Sequence, residues 1–216
     1  MRILSVNVGL PRQVVSEGKS VLTGIYKSPL HRRVKVGKLN LEGDAQADLS
    51  VHGGPNKAVY AYPSEHYGYW RNQFPGMEMP WGMFGENLTL VGLLEDDAHI
   101  GDHFRIGTAV LMVVQPRLPC YKLGIRFGRG DMPERFLSSR RTGFYFAVVE
   151  EGELGEGDTV EPNHREEHQI SIADLLRLGY GREKPDLHLI ERALHIEALT
   201  TGWRKLLMKK LAEYQA

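Results

Sequence analysis

The pattern of apolar and polar positions predicts two regions with different secondary structure. Up to about residue 162, short runs rich in β-branched and aromatic residues alternate with turns that hold most of the 24 glycines. We predict strands at 2–8, 21–26, 33–36, 59–62, 88–91, 104–114, 144–149 and 156–160. The run 104–114 is predicted as a single long strand that stops before Pro116.

Two short helices interrupt these predicted strands. Ser64 is a suitable N-cap for a helix that reaches Phe74, and 131–139 has the pattern of a second helix. Many short strands with long loops are typical of a barrel or a strongly curved sheet, not of a doubly wound fold. The predicted fold class is mainly β (α+β), with a barrel-like core and short helices.

The segment after Pro162 has helical periodicity instead. Ser171 and Asp174 have the spacing of a capping box, and a break is expected at 179–181. A last helix, capped by Thr200 or Thr201, places apolar residues on one face: Trp203, Leu207, Leu211 and Tyr214. We predict a β-rich domain at 1–165 and a small three-helix module at 166–216, and we expect removal of the module near Pro162 to leave the functional site intact.

Composition and charge narrow the functional classes. The chain has 27 Lys and Arg against 27 Asp and Glu, with 42% hydrophobic residues. This balance argues against a nucleic-acid or membrane-surface protein, which usually has a basic excess. The N-terminal apolar run is too short for a signal peptide, and no window approaches the roughly 18 apolar residues of a membrane span. We therefore expect a cytoplasmic protein with no membrane partner.

The first segment that could carry chemistry is DLSVHGGPNKAVY, at 48–60. Gly53 and Gly54 form a turn whose backbone N–H groups can approach a ligand, and His52 and Lys57 flank that turn. An anion would fit there. An ordinary turn with a solvated lysine explains the segment better when it is considered alone.

The second segment is MFGENLTL, which places Glu86 and Asn87 directly after a glycine. A carboxylate next to an amide suits a binding loop or a capped turn. This segment is weak evidence by itself.

The third segment, VVQPRLPCYKLG, contains the single cysteine of the chain. A lone cysteine is ordinarily a small buried hydrophobe. Here Pro116 and Pro119 stiffen the loop around Cys120, and Arg117 and Lys122 bracket it. Nearby cations favour the thiolate, which is the form that attacks substrates or binds a soft metal.

Taken together and in this order, the three segments resemble the MOSC family, which is named for the C-terminal domain of molybdenum-cofactor sulfurase. The later TGFYFAVVEEGELGEGDTV is similar to that family's closing hairpin. The helical tail makes the YiiM-like branch the best match, and the resemblance covers nearly the whole chain.

The resemblance implies a MOSC-type barrel-like core that holds a molybdenum cofactor (molybdopterin). Two dithiolene sulfurs of the cofactor hold the metal, and Cys120 corresponds to the additional protein ligand. The implied activity is the reduction of N-hydroxylated compounds, of the hydroxylamino-purine or amidoxime type, to amines, which would detoxify them. The residues expected to bind the cofactor are Gly53, Gly54, Lys57, Asn87, Gln115, Arg117 and Lys122.

The implied reaction needs protons and electrons. His52 and Glu86 are the candidate proton donors, and the sequence does not choose between them. The chain has neither a cysteine cluster for an iron–sulfur centre nor a dinucleotide-binding glycine motif. A separate reductase, a flavin or iron–sulfur protein, is therefore implied. The YiiM-like branch also implies a homodimer.

Two other functions stay open at this point. The chain could be a non-catalytic molybdopterin or sulfur carrier that uses Cys120 without turnover. It could also be a hydrolase with Cys120 as the nucleophile, which would require a histidine beside the thiol.

Overall fold

The computed structural model describes residues 1–47 and 53–215. Within these ranges the strands are β1 (Arg2–Val8), β2 (Arg12–Ser16), β3 (Lys19–Thr23), β4 (Ser28–Pro29), β5 (Val34–Val36), β6 (Val59–Pro63), β7 (Leu88–Val91), β8 (His103–Ile106), β9 (Ala109–Pro116), β10 (Phe144–Glu150), β11 (Gly152–Leu154) and β12 (Val160–His164). The α-helices are α1 (Glu65–Gln73), α2 (Tyr121–Phe127), α3 (Met132–Ser139), α4 (Ile172–Tyr180), α5 (Leu187–His195) and α6 (Thr201–Gln215).

Eight strands form one sheet in the order β12-β8-β9-β10-β6-β7-β1-β4. The neighbours pair antiparallel except β6 and β7, which are parallel. The segment before β12 also bonds to the start of β1: the Ile3 amide donates to the Asp158 carbonyl at 2.9 Å, and the Val160 amide donates to the Met1 carbonyl at 3.0 Å. These bonds join β12, at one end of the sheet, to β1, the last strand but one at the other end, and the predicted barrel-like α+β fold is confirmed.

The two faces of the central strands enter different hydrophobic clusters. Along β6, Val59 and Ala61 join a sheet–helix cluster that also contains buried residues of α4 to α6. Tyr60 and Tyr62 point the other way, into an aromatic cluster packed with α1, α2 and α3. Side chains alternate between the faces of a strand, so one short sequence run supplies both clusters.

The structure differs from the sequence-based prediction at 104–114, at 156–160, where the strand begins only at Val160, and after Cys120. The run 104–114 is a hairpin of β8 and β9, because Gly107 has a φ of 60° and turns the chain. A side chain at Gly107 would approach the Glu153 carbonyl to 2.3 Å, so glycine is required there. The sequence also gave no signal for α2, which starts one residue after Cys120.

The C-terminal helices share a continuous core with the sheet. The predicted capping box is confirmed, since the Ser171 hydroxyl accepts from the Asp174 amide and the Asp174 carboxylate accepts from the Ser171 amide. Leu175 of α4 and Trp203 of α6 lie in the same cluster as Phe144 of β10. Backbone bonds add to this packing, such as the Ile172 amide to the Ala98 carbonyl at 2.9 Å. The domain boundary at 165/166 stays a prediction, but the two parts are not packed as independent bodies.

None of the helices in the described part of the chain combines the length and apolar character needed to cross a bilayer.

We predict that a chain ending at residue 165 will not fold cooperatively, contrary to the expectation from sequence. Each fully buried Leu or Ile contributes about 1.5–3 kcal/mol, and a domain has only about 5–15 kcal/mol of net stability. The truncation removes Ile170, Ile172, Leu175 and Ile190 together, all of them fully buried. Solubility and thermal unfolding of residues 1–165, compared with the full chain, test this. As a graded control, Leu175→Ala in the full chain should remain folded and cost about 2–5 kcal/mol. A soluble truncate with one sharp transition would contradict the prediction.

Candidate functional site

A pocket opens beside the aromatic cluster, at the carboxyl end of β9. Its lining includes five of the residues predicted to bind cofactor or metal: Lys57, Asn87, Arg117, Cys120 and Lys122. The other described lining residues are Thr23, Gly24, Ile25, Lys27, Asp44, Ala45, Gln46, Ala47, Tyr60, Gly85 and Tyr145. Residues of the C-terminal helices are not among them.

Cys120 lies between the end of β9 and the start of α2. Its backbone is extended, with φ −123° and ψ 172°, and the helix begins at the next residue. The Leu123 amide donates to the Cys120 carbonyl at 3.0 Å, which anchors the first turn of α2. The thiol is half-buried on the pocket wall, and Lys57, Arg117 and Tyr145 are close enough for a charge on the sulfur to act on them. Cations so placed favour the thiolate.

Lys57 reaches the pocket from a 3-10 turn at Pro55–Lys57. Gly54 precedes the turn with a φ of 90°, a conformation that favours glycine. The Gln115 amide holds the turn by donating to the Asn56 carbonyl at 2.8 Å, and it also accepts from the Thr200 hydroxyl at 3.4 Å. Burial lowers the pKa of Lys57, and the nearby Cys120 raises it in opposition. Gln115 thus positions the turn instead of lining the pocket.

Arg117 is the most deeply buried cation of the site, with 6% of its surface exposed. Its guanidinium carbon lies 5.0 Å from the centre of the Tyr60 ring and 5.2 Å from that of Phe136. Burial works to lower the pKa of Arg117, but Tyr60, Tyr145 and Cys120 raise it above its ordinary value. Among the described residues, the Nη1 atom has no hydrogen-bond partner. A charged donor left in this state is costly, so the site is suited to an anionic group.

Tyr60 and Tyr145 form the wall next to Arg117, and sequence reasoning missed both. They are directly opposed in the register of β6 and β10, with ring centres 5.2 Å apart. Burial raises the pKa of each phenol. The alternation within both strands could have placed them on one face, but the pairing of these two strands is not readable from the sequence.

A buried polar network supports the opposite wall. Lys27 forms an ion pair with Asp44, which also accepts from the Gly9 amide at 3.0 Å. The Asn87 side chain donates to Asp44 at 2.9 Å and accepts from the Tyr60 amide at 3.0 Å. Burial lowers the pKa of Lys27, while Asp44 raises it. The polar atoms of Asn87 are therefore used to fix the wall, and neither Lys27 nor Asp44 was identified from sequence.

Glu86 lies fully buried behind the pocket. Its carboxylate accepts hydrogen bonds from the Tyr67 hydroxyl, the Gly82 amide at 2.9 Å and the Phe84 amide at 3.1 Å. The Thr89 hydroxyl adds a fourth bond at 3.0 Å. Burial raises the pKa of Glu86, and the hydrogen bonds of Tyr67 and the backbone act against that rise. These contacts make it the centre of the 82–89 loop.

The other predicted site residues have different positions. Gly53, Gly54 and Gln115 lie next to the pocket without lining it, and Glu86 lies behind it. His52 lies outside the described residues. The described lining contains no histidine. Within the described residues, no three His, Cys, Asp or Glu side chains gather as a metal site.

The arrangement combines one soft ligand with several cations. A single thiolate cannot hold a transition metal alone, so the other ligands would have to come with a bound group. Lys57, Arg117 and Lys122 supply positive charge and N–H donors for an anionic part of that group. The pocket therefore has the chemistry of a site for an anionic, metal-carrying cofactor.

Two family models match consecutive parts of the chain. The MOSC domain matches residues 48–161, and the YiiM-like, 3-alpha helix domain matches residues 170–213. The first match contains every segment that contributed to the sequence-based site prediction.

Relatives match over most of their length. The uncharacterized protein YflK of Bacillus subtilis is 44% identical over 96% of this chain and 93% of its own, and protein YiiM of Escherichia coli is 32% identical over 92% and 88%. A protein of Gibberella moniliformis named "Reductase" is 31% identical over 76% of this chain, which corresponds to only 30% of that longer protein. The crystal structure of YiiM from Geobacillus stearothermophilus has a TM-score of 0.79 at 35% identity, over 97% of this chain and 98% of the other.

We predict that Glu86→Gln destabilises the fold, because an amide cannot accept from all four donors and its own N–H₂ would face either the Gly82 or the Phe84 backbone amide. Unsatisfied buried donors cost about 1–3 kcal/mol each. Urea unfolding measures the loss. Glu78→Gln, at an exposed carboxylate, is the matched control and should unfold like the parent chain. If Glu86→Gln unfolds like Glu78→Gln, then Glu86 does not organise this loop.

Proposed function

This chain belongs to the MOSC domain family, with the YiiM-like three-helix domain at its C-terminus, and we propose that it is a molybdenum-cofactor-dependent reductase of N-hydroxylated compounds. The substrates would be of the hydroxylamino-purine or amidoxime type, and the products would be the amines. The relative named "Reductase" supports a redox activity for this domain.

The observation that carries this proposal is the buried charge of Arg117 beside Cys120. Arg117 lines the pocket together with Lys57 and Lys122, and its buried Nη1 atom has no hydrogen-bond partner among the described residues. Molybdopterin carries a phosphate, and charge-assisted bonds from guanidinium and ammonium groups are the strong ones for phosphate. In this proposal these three cations bind the anionic end of the cofactor, and Cys120 is the one protein sulfur at the metal.

The reaction consumes two electrons and two protons. The N–O bond of the substrate breaks, an N–H bond forms, and the oxygen leaves as water. The bound cofactor supplies the two-electron chemistry at the metal. The protein binds and orients the groups, and its described lining offers Lys57 and Tyr145 as proton-bearing groups next to Cys120. His52 stays a candidate proton donor, whereas the hydrogen bonds of Glu86 favour a structural role.

The electrons would come from a separate flavin or iron–sulfur protein that docks at the pocket mouth. Tyr121 is 60% exposed and Leu118 is 41% exposed on either side of Cys120, so apolar surface is available there. The basic tail is a poorer docking face, because α6 packs on the other side of β6 and β10. Arg204 of α6 is also engaged, since it donates to the carbonyls of Leu194 and Ile196 at the end of α5.

We predict that Cys120→Ser abolishes reduction of 6-hydroxylaminopurine with a chemical reductant, because a hydroxyl is a far poorer ligand than a thiolate for this metal. The thiol is only half-buried, so the thermal unfolding of the variant should match that of the parent. Parent protein produced with molybdate is the positive control. A Cys120→Ser protein that still forms the amine at the parental rate would overturn the proposal. A parent protein that binds the cofactor but forms no amine would instead favour a carrier.

We predict that Lys57→Ala, Arg117→Ala and Lys122→Ala each lower the amount of bound pterin. A charge-assisted hydrogen bond contributes about 1.5–3 kcal/mol, which corresponds to roughly 10-fold to 100-fold weaker binding. Pterin fluorescence after release and molybdenum analysis measure the loss. Lys205→Ala removes the same charge from an exposed position on α6 and should keep full occupancy. Full occupancy in all three pocket variants would place the cofactor elsewhere.

A further inference from the structure

Two arginines and a tyrosine form a second basic group just outside the pocket. The guanidinium carbon of Arg12 lies 3.8 Å from the centre of the Tyr26 ring, and that of Arg126 lies 4.8 Å from the same centre. A guanidinium that lies over an aromatic ring keeps its N–H edges available for other partners. One tyrosine thus presents two sets of guanidinium donors.

Among the described residues, neither of these two guanidinium groups forms a salt bridge with a carboxylate. The Nε atom of Arg126 is buried without a hydrogen-bond acceptor among the described residues. Burial lowers the pKa of Arg126, and the adjacent Arg12 charge lowers it further, against the raising effect of Tyr26. Glu86 acts on Arg126 only through space, because its carboxylate already accepts four hydrogen bonds. Two like charges held together without a carboxylate indicate a site for an external anion.

Arg12, Tyr26 and Arg126 do not line the pocket themselves, but residues next to them do. Arg12 pairs with Thr23 across the β2–β3 hairpin, and Thr23 lines the pocket. Ile25 and Lys27, on either side of Tyr26, line it as well. Arg126 is one turn of α2 beyond Lys122, and the rise of a helix places it about 9 Å along the axis from Cys120. An anionic group of a substrate that is bound here would therefore lie at some distance from the substrate atom that reacts beside Cys120.

We propose that Arg12, Tyr26 and Arg126 bind the phosphate of a phosphorylated substrate, so that the preferred substrate is an N-hydroxylated nucleoside monophosphate and not the free base. Two guanidinium groups match the two negative charges of a phosphomonoester, with bidentate geometry available from each. Under the proposed function, Lys57, Arg117 and Lys122 provide for the cofactor's own phosphate inside the pocket, so the occupant that we assign to Arg12 and Arg126 is a second phosphate. This inference rests on the proposed reductase function.

The test begins with binding, which does not depend on turnover. Calorimetry on the purified protein compares adenosine 5′-monophosphate with adenosine. We expect the nucleotide to bind at least about tenfold more tightly than the nucleoside, because one charge-assisted hydrogen bond is enough for a tenfold gain in affinity. Arg12→Gln and Arg126→Gln should each remove this preference. Arg12 is exposed, so its variant folds even where Arg126→Gln does not. Lys19→Gln, on the same hairpin but away from Tyr26, is the control and should keep the preference.

Kinetics then separate this inference from the proposed function. The parent should reduce the 5′-monophosphate of hydroxylaminopurine riboside with a higher kcat/KM than the free base, through a lower KM. Arg12→Gln should lose that advantage and keep the parental rate on the free base and the parental pterin content.

Equal KM values for base and nucleotide in the parent would overturn this inference and leave the proposed function standing. Lost pterin in both arginine variants would assign the site to the cofactor and overturn it too. If neither substrate is reduced, the proposed function fails. The calorimetric comparison of nucleotide with nucleoside then tests by itself whether Arg12 and Arg126 bind a phosphate.

Discussion

Arg117 carries a full positive charge into the interior at the end of β9, and the arrangement of the site depends on how that charge is accommodated. Tyr60 and Phe136 place their rings 5.0 Å and 5.2 Å from its guanidinium carbon, which provides cation–π attraction but no hydrogen-bond acceptor for Nη1. Cation–π contact in a desolvated site contributes roughly 2 kcal/mol, less than the several kcal/mol that a buried ion loses on leaving water. The remaining deficit favours an anion in the pocket.

The sheet makes this arrangement feasible by separating two kinds of packing. On one side of β6 and β10, aliphatic residues and Phe144 pack against the C-terminal helices. On the other side, the aromatic cluster surrounds the polar residues of the pocket, with Tyr62 stacked on Phe84 at 4.3 Å. Because the interiors of proteins are densely packed, each layer holds the other in place. The helices thus support the site without lining it, and the Thr200–Gln115–Asn56 bonds continue that support to the Lys57 turn.

Several polar residues that the sequence suggests as site residues instead fix the backbone around the pocket through hydrogen bonds. Glu86 gathers four donors of one loop, and Asn87 satisfies the Tyr60 amide and the Asp44 carboxylate. A buried carboxylate or amide that is fully hydrogen-bonded fixes the backbone around it, because any change leaves donors unsatisfied. Among the described residues, the Nη1 atom of Arg117 and the Nε atom of Arg126 are buried without a hydrogen-bond partner. These two arginines therefore keep hydrogen-bonding capacity that the described part of the protein does not use.

Local chemistry in the sequence was enough to determine the strand-rich region, the capping box at Ser171 and the cation-flanked position of Cys120, since each depends on residues close together in the chain. Together with the family resemblance, it also identified Lys57, Asn87, Arg117 and Lys122, which the structure brings together with Cys120. The sequence could not give the opposition of Tyr60 and Tyr145, the Lys27–Asp44 pair or the helix after Cys120. Register, ion pairing across the fold and the shared core of sheet and helices depend on contacts between distant segments, and only the tertiary structure decides which of those contacts form.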